Sequence, residues 1–499
     1  MVETFQYLAQ GFAAAATPTN LTFALIGCIL GTLIGVLPGI GPAAGTAILI
    51  PLTFQLDATG AIIMLAAIYY GAMYGGTITS VLINVPGEAA SVITCLDGHQ
   101  MAKKGRAGAA LGIAAIGSFI GGVVATVLLV LVATPLSRLA LSFGPPEFCA
   151  LMLVGLVLVT SLAGQSLVAG ILMTITGLLI SLIGIDPVRG APRFTFGLPE
   201  LYDGVGFIPV VMGLFGIGEI LATAEKPYRE VIRTSLRGLI PSRDEWRRSL
   251  GAIWRGTGLG FFLGLIPGVG AIIPTFMSYI LEKRLSKHPE QFGTGAIEGV
   301  AGPETANNSY ANGAMVPLLT LGIPSSPTIA VLMGAFIVNG LTPGPFLFQE
   351  RPDLVWAVIA SFFIGNVLLL ILNLPLVGLW AKLLEIPYQY ICAGTLLFCM
   401  IGAYSINQSV FDLWVMLGCG IIGYLLRKLN FPLAPLVLGL ILGPQIEKSM
   451  RTSLEMSAGD FSIFVTRPIS AALLALAVVI LAFAALQLAP KEIRDPNAD

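Results

Sequence analysis

Two stretches of an otherwise apolar chain gather oxygen-bearing side chains around a proline. They read TITSVLINVPGEAAS (77–91) and LTLGIPSSPT (319–328). Hydroxyl and main-chain carbonyl oxygens are neutral donors, so they can hold a hard cation without the burial of several charges. We predict cation ligands at Thr77, Thr79, Ser80, Ser91, Thr320, Gly322 and Thr328. The alternative for such hydroxyls is a hydrogen bond to their own helix backbone.

An acidic and amide-rich segment, GPETANNSYANG (302–313), precedes the second stretch. Glu304 and Asn308 are four residues apart and share one face if the segment is helical. An ionisable residue at membrane depth is a functional candidate by default, so we add Glu304 to the predicted cation ligands. We predict that the neighbouring amides, Asn307 and Asn308, bind a substrate. The alternative for Glu304 is an N-terminal helix cap at the membrane interface.

A helix-breaking phrase occurs twice, as GTLIGVLPGIG (31–41) and GFFLGLIPGVG (260–270). Proline lacks a backbone donor and glycine permits a left-handed backbone, so each phrase predicts a broken helix. At membrane depth, a break exposes a half-helix N-terminus that favours an anion and carbonyls that suit Na⁺. The alternative is a kink that eases helix packing. We predict substrate-binding residues at Pro38, Gly39, Gly41, Asn84, Pro86, Gly87, Pro267, Gly268, Gly270, Asn307, Asn308, Pro324, Ser325 and Ser326.

These motifs must be held by membrane-spanning helices. The chain of 499 residues is 56% hydrophobic and only 11% charged, and uncharged runs cover 4–56, 58–87 and 305–349. A spanning helix needs about 20 mostly apolar residues, so we predict an all-α polytopic membrane protein with roughly 11 to 13 membrane segments. No basic residue precedes Lys103, so the N-terminus lacks the positive region of a cleaved secretory signal.

Few side chains in the sequence are suited to enzyme chemistry. There are two histidines, and the six cysteines are scattered without a CxxC pair, so we predict no cofactor and no metal beyond Na⁺. The alternative function, an intramembrane enzyme acting on lipid or polyprenyl substrates, would need a carboxylate pair, a histidine cluster or an activated nucleophile. The net charge of −1 gives no reason to expect a nucleic-acid partner.

The two halves of the chain repeat one pattern. The broken phrase recurs after 229 residues, and the proline tip recurs after 238 residues when Pro86 is aligned with Pro324. Basic residues follow the tip of copy one, at 103–106, and the break of copy two, at 283–287. Because Lys and Arg gather in cytoplasmic loops, equivalent ends are predicted to face opposite sides of the membrane.

This charge pattern predicts two inverted-topology repeats with broken helices and Pro/Gly-tipped re-entrant hairpins. Such repeats are common in secondary transporters, which favours alternating access over a passive channel. We predict a first membrane repeat at 1–224, a basic cytoplasmic linker at 225–255 and a second membrane repeat at 256–499.

Together, these motifs resemble the large membrane subunit (TctA type) of the tripartite tricarboxylate transporters. The resemblance extends from about residue 20 to residue 470 and is carried by GVLPGIGPAAGTAILIPLTF, YYGAMYGGTITSVLINVPGEAASVITCLDGHQMAKKGRAGAALG, GLIPGVGAIIPTFMSYILEKRLSK, GTGAIEGVAGPETANNSYANGAMVPLLTLGIPS, GLTPGPFLF and LGPQIEKSMRTSL. One position departs from the family pattern: the second Ile-Pro is usually followed by Gly-Ser, and here by Ser325–Ser326.

The resemblance implies a multi-pass protein of the bacterial inner membrane that imports organic di- or tricarboxylates by elevator-like alternating access. Its partners would be a small membrane subunit (TctB type) and a periplasmic substrate-binding protein (TctC type). The coupling ion would be Na⁺ or H⁺, and the scarcity of buried His, Asp and Glu mildly favours Na⁺.

Overall fold

The computed structural model describes residues 2–37, 41–162, 166–186, 190–224, 238–384, 386 and 388–488, and most of them are helical. The helices of the first half are α1 (Val2–Ala15), α2 (Pro18–Val36), α3 (Gly41–Leu49), α4 (Ala58–Ile83), α5 (Thr94–Lys103), α6 (Ala107–Ala140), α7 (Pro145–Leu162), α8 (Leu167–Ser181), α9 (Phe207–Val211) and α10 (Gly218–Ala224). Two short strands, β1 (Gly184–Ile185) and β2 (Pro192–Arg193), pair antiparallel.

The second half is also helical where it is described. Its helices are α11 (Arg243–Gly264), α12 (Ile272–Leu285), α13 (Glu298–Gly313), α14 (Met315–Leu321), α15 (Pro327–Val338), α16 (Leu347–Glu350), α17 (Pro352–Asn373), α18 (Val377–Leu383), α19 (Tyr388–Asn407), α20 (Val410–Lys428), α21 (Leu433–Met456), α22 (Ile463–Thr466) and α23 (Pro468–Leu488). Short 3₁₀ helices occur at Ile50–Thr53, Ala89–Val92, Pro199–Leu201 and Pro289–Gln291, and a π-helix occurs at Met212–Ile217.

Six of the described helices are long and apolar enough to cross a bilayer, namely α2, α4, α6, α17, α20 and α23. This confirms the predicted all-α, multi-pass membrane protein. Further apolar helices, such as α3 and α15, are shorter than the roughly 20 residues that a full crossing needs. The predicted number of segments and the re-entrant hairpins therefore stay predictions.

The helix α4 forms the centre of the first half, and its 18-residue apolar window is completely buried. It begins at Asp57, whose carboxylate accepts the backbone N–H groups of Thr59 and Gly60 at 3.1 Å. Such a cap satisfies amides that the first helical turn leaves free. The helix ends where Asn84 adopts a left-handed conformation with φ 55°. This ending directs the chain into the first proline tip.

The predicted linker 225–255 is divided by the structure. Residues 225–237 lie outside the described part of the chain. Residues 243–255 form the first half of α11, so the predicted boundary with the second repeat falls inside a helix. Two arginines of this half form ion pairs with the second repeat: Arg248 with Glu298 at 2.7 Å, and Arg255 with Glu282 at 2.5 Å. Part of the predicted linker is thus packed against the membrane repeat that follows it.

Each broken helix packs closely on a later helix of its own half. A Cβ atom added to Gly31 of α2 would lie less than 3.0 Å from the main chain of Ile68 in α4. A Cβ atom added to Gly260 of α11 would approach the main chain of Ala306 in α13 as closely. Small residues permit this approach where helices associate in a membrane, because the gain there comes from close packing.

The contact in the second half joins residues that match those in the first half. The matching residues are 229 and 238 positions apart, as in the sequence repeat. Gly260 follows Gly31 by 229 residues, and Ala306 follows Ile68 by 238 residues. A second pair obeys the same rule, since Gly75 packs on Thr32 and Gly313 packs on Phe261. The internal repeat is therefore a repeat of packing as well as of sequence.

Later helices of the two halves pack against each other. Gly177 of α8 packs against Leu436 of α21, so a helix of the first half contacts the end of the second. In return, Gly213 of the π-helix packs against Met416 of α20.

We predict that Gly260→Val destabilises the protein because the new side chain would force α11 away from α13. Overpacking of this kind costs about 1–3 kcal/mol of unfolding free energy. Thermal unfolding of the detergent-purified protein, followed by intrinsic fluorescence, measures the effect. Gly258→Val on the same helix is the matched control, because a Cβ atom there would meet nothing within 4 Å. Equal unfolding temperatures for the two variants would contradict the packing argument.

Candidate functional site

A cavity of about 590 Å³ is lined by corresponding segments of the two halves. The helix breaks contribute 41–44 and 268–273, and the proline tips contribute 85–90 and 326–328. This volume lies within the range of small-molecule binding sites. The predicted ligands that line the cavity are Gly41, Pro86, Gly87, Gly268, Gly270, Ser326 and Thr328. Pro38 and Gly39 lie outside the described residues.

The first proline tip is pressed against the first broken helix. A Cβ atom added to Gly87 would lie less than 3.0 Å from the carbonyl oxygen of Gly35, near the end of α2. Only glycine permits this approach. The next residue, Glu88, begins the 3₁₀ helix Ala89–Val92 with its side chain buried. The sequence VPGE therefore places a carboxylate directly behind the tip.

The second proline tip is bonded to the second break through one carbonyl oxygen. The backbone N–H groups of Gly268 and Gly270 donate to the Ser325 carbonyl at 3.1 and 3.4 Å. The Tyr310 hydroxyl donates to the same carbonyl at 3.1 Å. Gly268 has a φ of 83°, in the left-handed region that favours glycine. The next residue, Ser326, caps α15 by accepting the N–H of Ile329 at 3.3 Å.

A buried polar cluster joins the two tips; we call Tyr69, Glu88, Asn307 and Ser325 the inter-tip cluster. Asn307 on α13 donates its side-chain amide to Glu88 Oε1 at 2.5 Å, which links copy two to tip one. Tyr69, which corresponds to Asn307 in the repeat, lies beside Ser326, which corresponds to Glu88. Among the described residues, the Tyr69 hydroxyl, Asn307 Oδ1 and Ser325 Oγ are buried without a hydrogen-bond partner.

A second buried cluster surrounds Glu304; we call Thr77, Thr94, Ser118, Glu304 and Asn308 the Glu304 cluster. Thr77 donates its hydroxyl to Glu304 Oε2 at 2.5 Å, and Thr94 donates to Oε1. Asn308 donates to Ser118 Oγ at 2.7 Å, which ties α13 to α6. Glu304 lies more than one turn inside α13 and is only 1% exposed, so it is not an interfacial helix cap.

Several predicted cation ligands have hydroxyl protons that are already bonded to nearby backbone carbonyls. These pairs are Thr79 with Gly76 (3.0 Å), Ser80 with Gly76 (2.9 Å), Ser91 with Glu88 (2.8 Å) and Thr320 with Val316 (2.7 Å). These hydroxyls thus bond to the backbone near them, which was the alternative to cation binding. Asn84, Pro267, Gly322 and Pro324 are close in sequence to the cavity-lining segments but are not among the residues that line the cavity.

Sequence reasoning missed Thr94, Ser118, Tyr69 and Tyr310. Thr94 lies three residues beyond the hydroxyl-rich stretch, and Ser118 is eight residues from the next hydroxyl residue of the apolar helix α6. A single hydroxyl in an apolar helix carries no distinctive spacing. The signal that finds these residues is their burial against Glu304, Ser325 or Ser326, and that contact exists only in the folded chain.

Asp97 fixes the segment after tip one to the second half. Its Oδ1 accepts the backbone N–H groups of Gly293, Gly295 and Ala296 at 2.7–2.9 Å. Its Oδ2 accepts the Tyr279 hydroxyl at 2.9 Å. A fully buried carboxylate with four donors is a structural anchor, since each donor would otherwise be unsatisfied. Asp97 thereby positions α5 against the loop that leads into α13.

Comparison with known proteins gives a family and two curated relatives. The family described as "Tripartite tricarboxylate transporter TctA family" matches residues 21–438. An "Uncharacterized 52.8 kDa protein in TAR-I ttuC' 3'region" of Agrobacterium vitis is 48% identical over 485 residues, 97% of each chain. An "Uncharacterized protein in TAR-II ttuC' 3'region" of the same species is 51% identical over 220 residues, 44% of this chain and 91% of the relative. No solved structure matches the chain.

We predict that Asp97→Ala strongly destabilises the protein, whereas Asp97→Asn has a smaller effect. The alanine variant leaves three buried amides and one hydroxyl without an acceptor, at about 1–3 kcal/mol for each group. Asparagine retains the Oδ1 acceptor. Folded yield after detergent extraction and the unfolding temperature measure both variants. Asp353→Asn is the control, because Asp353 is exposed and its ion pair is with Arg351. An Asp97→Ala variant as stable as this control would refute the anchor.

Proposed function

Because the chain belongs to the tripartite tricarboxylate transporter TctA family, we propose that it is the large transmembrane subunit of a binding-protein-dependent secondary transporter. It imports organic di- or tricarboxylates across the bacterial inner membrane, driven by a Na⁺ or H⁺ gradient. Family membership makes the chain a transporter component and not an enzyme. The observation that carries the proposal is the cavity lined by both breaks and both proline tips.

The substrate binds in this cavity at the N-termini of two helices. α3 begins at Gly41 and α15 begins at Pro327, and both starts line the cavity. Helix N-termini favour negative charge because their first amides point outward and the helix dipole adds to the attraction. Ser326 accepts the Ile329 amide, and its hydroxyl can donate a proton to a carboxylate. These features supply neutral and dipolar contacts for an organic anion.

The coupling cation binds at the inter-tip cluster. Asn307 Oδ1 and Ser325 Oγ are oxygen atoms without partners among the described residues, and Glu88 supplies a carboxylate bonded to the Asn307 amide. Hard cations take such oxygen ligands. By contrast, both carboxylate oxygens of Glu304 already accept threonine hydroxyls, so Na⁺ would have to displace these donors. The inter-tip cluster is thus the better candidate for Na⁺.

Transport proceeds by elevator-type alternating access of two inverted repeats. The contacts that recur at the spacings of the repeat support two structurally related halves. The basic residues, which follow the tip in copy one and the break in copy two, support their inversion. Asn307 of the second half holds Glu88 of the first, and Tyr69 of the first lies beside Ser326 of the second. Cation binding at these contacts would couple the two tips. A small membrane subunit and a periplasmic substrate-binding protein complete the transporter.

Uptake into right-side-out membrane vesicles tests this function. The vesicles contain both membrane subunits, and purified binding protein is added with radiolabelled citrate, malate or succinate. We expect uptake of at least one carboxylate that requires the binding protein and an inward Na⁺ or H⁺ gradient, and ionophores selective for each ion identify which. Uptake that requires neither the binding protein nor an ion gradient would contradict the proposal.

We predict that Ser325→Ala weakens Na⁺ dependence without lowering stability. The hydroxyl has no partner to lose, so the unfolding temperature stays unchanged. The Na⁺ concentration for half-maximal uptake rises about tenfold, as expected for the loss of one contact to a charged group. Ser361→Ala is the control, since this buried hydroxyl bonds to the Val358 carbonyl of its own helix. Unchanged Na⁺ dependence in Ser325→Ala would place the cation elsewhere.

A further inference from the structure

An arginine lies in the wall of the same cavity, away from the sequence motifs. Arg427, in the last turn of α20, and Glu219, on α10, both line the cavity and form an ion pair. Phe215 of the π-helix lines it as well, and the Arg427 guanidinium lies 6.0 Å from the centre of its ring. π-Helical turns occur frequently at functional sites. These three residues come from three elements that the sequence analysis did not connect with binding.

The guanidinium is only partly satisfied by its neighbours. Its side chain is 29% exposed, and its Nε atom is buried without a hydrogen-bond partner among the described residues. A guanidinium has five N–H donors in a planar fork that matches a carboxylate. Glu219 can occupy one edge of this fork, which leaves donors for a second carboxylate.

The charges that line the cavity also favour a positive group that can bind the substrate. Its lining residues include two carboxylates, Glu88 and Glu219, and Arg427 is the cation among the described lining residues. A substrate with two or three carboxylates would be repelled by this lining unless a positive charge receives one of them. The helix N-termini at the tips carry partial charges and can receive another.

We propose that Arg427 binds one carboxylate of the substrate, while the helix N-termini at the breaks and tips bind another. This inference rests on the proposed transport function and extends it to selectivity. In the absence of substrate, Glu219 holds the guanidinium in place. When a di- or tricarboxylate enters, its carboxylate takes up the free donors and competes with Glu219. A monocarboxylate cannot reach both sites, so Arg427 selects for substrates with more than one carboxylate.

The ion pair has a structural alternative, in which Arg427 and Glu219 only hold α20 against α10. The two roles predict different effects on substrate binding when one partner of the ion pair is substituted. If the pair is structural, removal of either charge harms the protein in the same way. If Arg427 binds substrate and Glu219 competes for it, then loss of Arg427 weakens binding and loss of Glu219 strengthens it.

Binding of radiolabelled citrate, malate and succinate to the detergent-purified complex of both membrane subunits tests the inference. This assay needs neither the binding protein nor an ion gradient. We expect Arg427→Gln to raise the Kd at least about tenfold, consistent with the loss of a charge-assisted bidentate contact. Arg427→Lys keeps the charge but loses the fork, so its Kd should rise less. Glu219→Gln should lower the Kd.

Two controls make the result specific. Lys428→Gln removes the same charge one residue away, where the ammonium group lies over the Tyr424 ring, and its Kd should match the wild type. Propionate, with a single carboxylate, should compete equally weakly against the wild type and Arg427→Gln. Size-exclusion profiles identify variants that fail to fold. If Arg427→Gln does not fold, the other two variants still test the inference. The Kd should rise in Arg427→Lys and fall in Glu219→Gln.

Three outcomes would overturn the inference: equal effects of Arg427→Gln and Lys428→Gln, weaker binding in Glu219→Gln, or an unchanged Kd in every Arg427 variant. Each can occur in a complex whose wild type still imports carboxylates in the vesicle assay, and then the transport function stands without this role for Arg427. A wild type that neither binds nor transports any of the three carboxylates would instead contradict the proposed function.

Discussion

The close main-chain packing of each broken helix against a later helix of its half is the constraint on which the remaining structure depends. In hydrocarbon, an unpaired backbone group costs several kcal/mol, so an interrupted helix must be enclosed by protein or face a wet cavity. Glycines at Gly31 and Gly260 let the two backbones meet without side chains between them. Each break then ends beside a proline tip, and the cavity forms where the four segments meet.

The polar interior follows from this arrangement. A carboxylate is stable away from water only when hydrogen-bond donors surround it. Thr77 and Thr94 provide them for Glu304, and Asn307 provides one for Glu88. Both carboxylates are therefore bonded across the boundary between the halves. A change in the bond between Glu88 and Asn307 would also change how the first tip contacts α13.

Different parts of the molecule serve stability and binding. Asp97 is saturated by four donors and anchors the region around the first tip. Ser325, Asn307 and Arg427 each have a buried polar atom without a partner among the described residues. Saturated groups hold the frame, whereas unsaturated groups at its centre can bind a ligand.

The sequence by itself determined the membrane class, the two helix breaks, the two proline tips and their internal repeat. Each of these depends on local chemistry: apolar runs favour helices in a bilayer, and proline and glycine end them. Only the tertiary structure decided which hydroxyls stay bonded to their own helix, as in Thr320, and which reach a distant carboxylate, as in Thr94. It also showed Arg427 in the cavity wall and the linker residues 243–255 within α11. These outcomes depend on the rotation and packing of helices hundreds of residues apart, and local sequence patterns do not specify them.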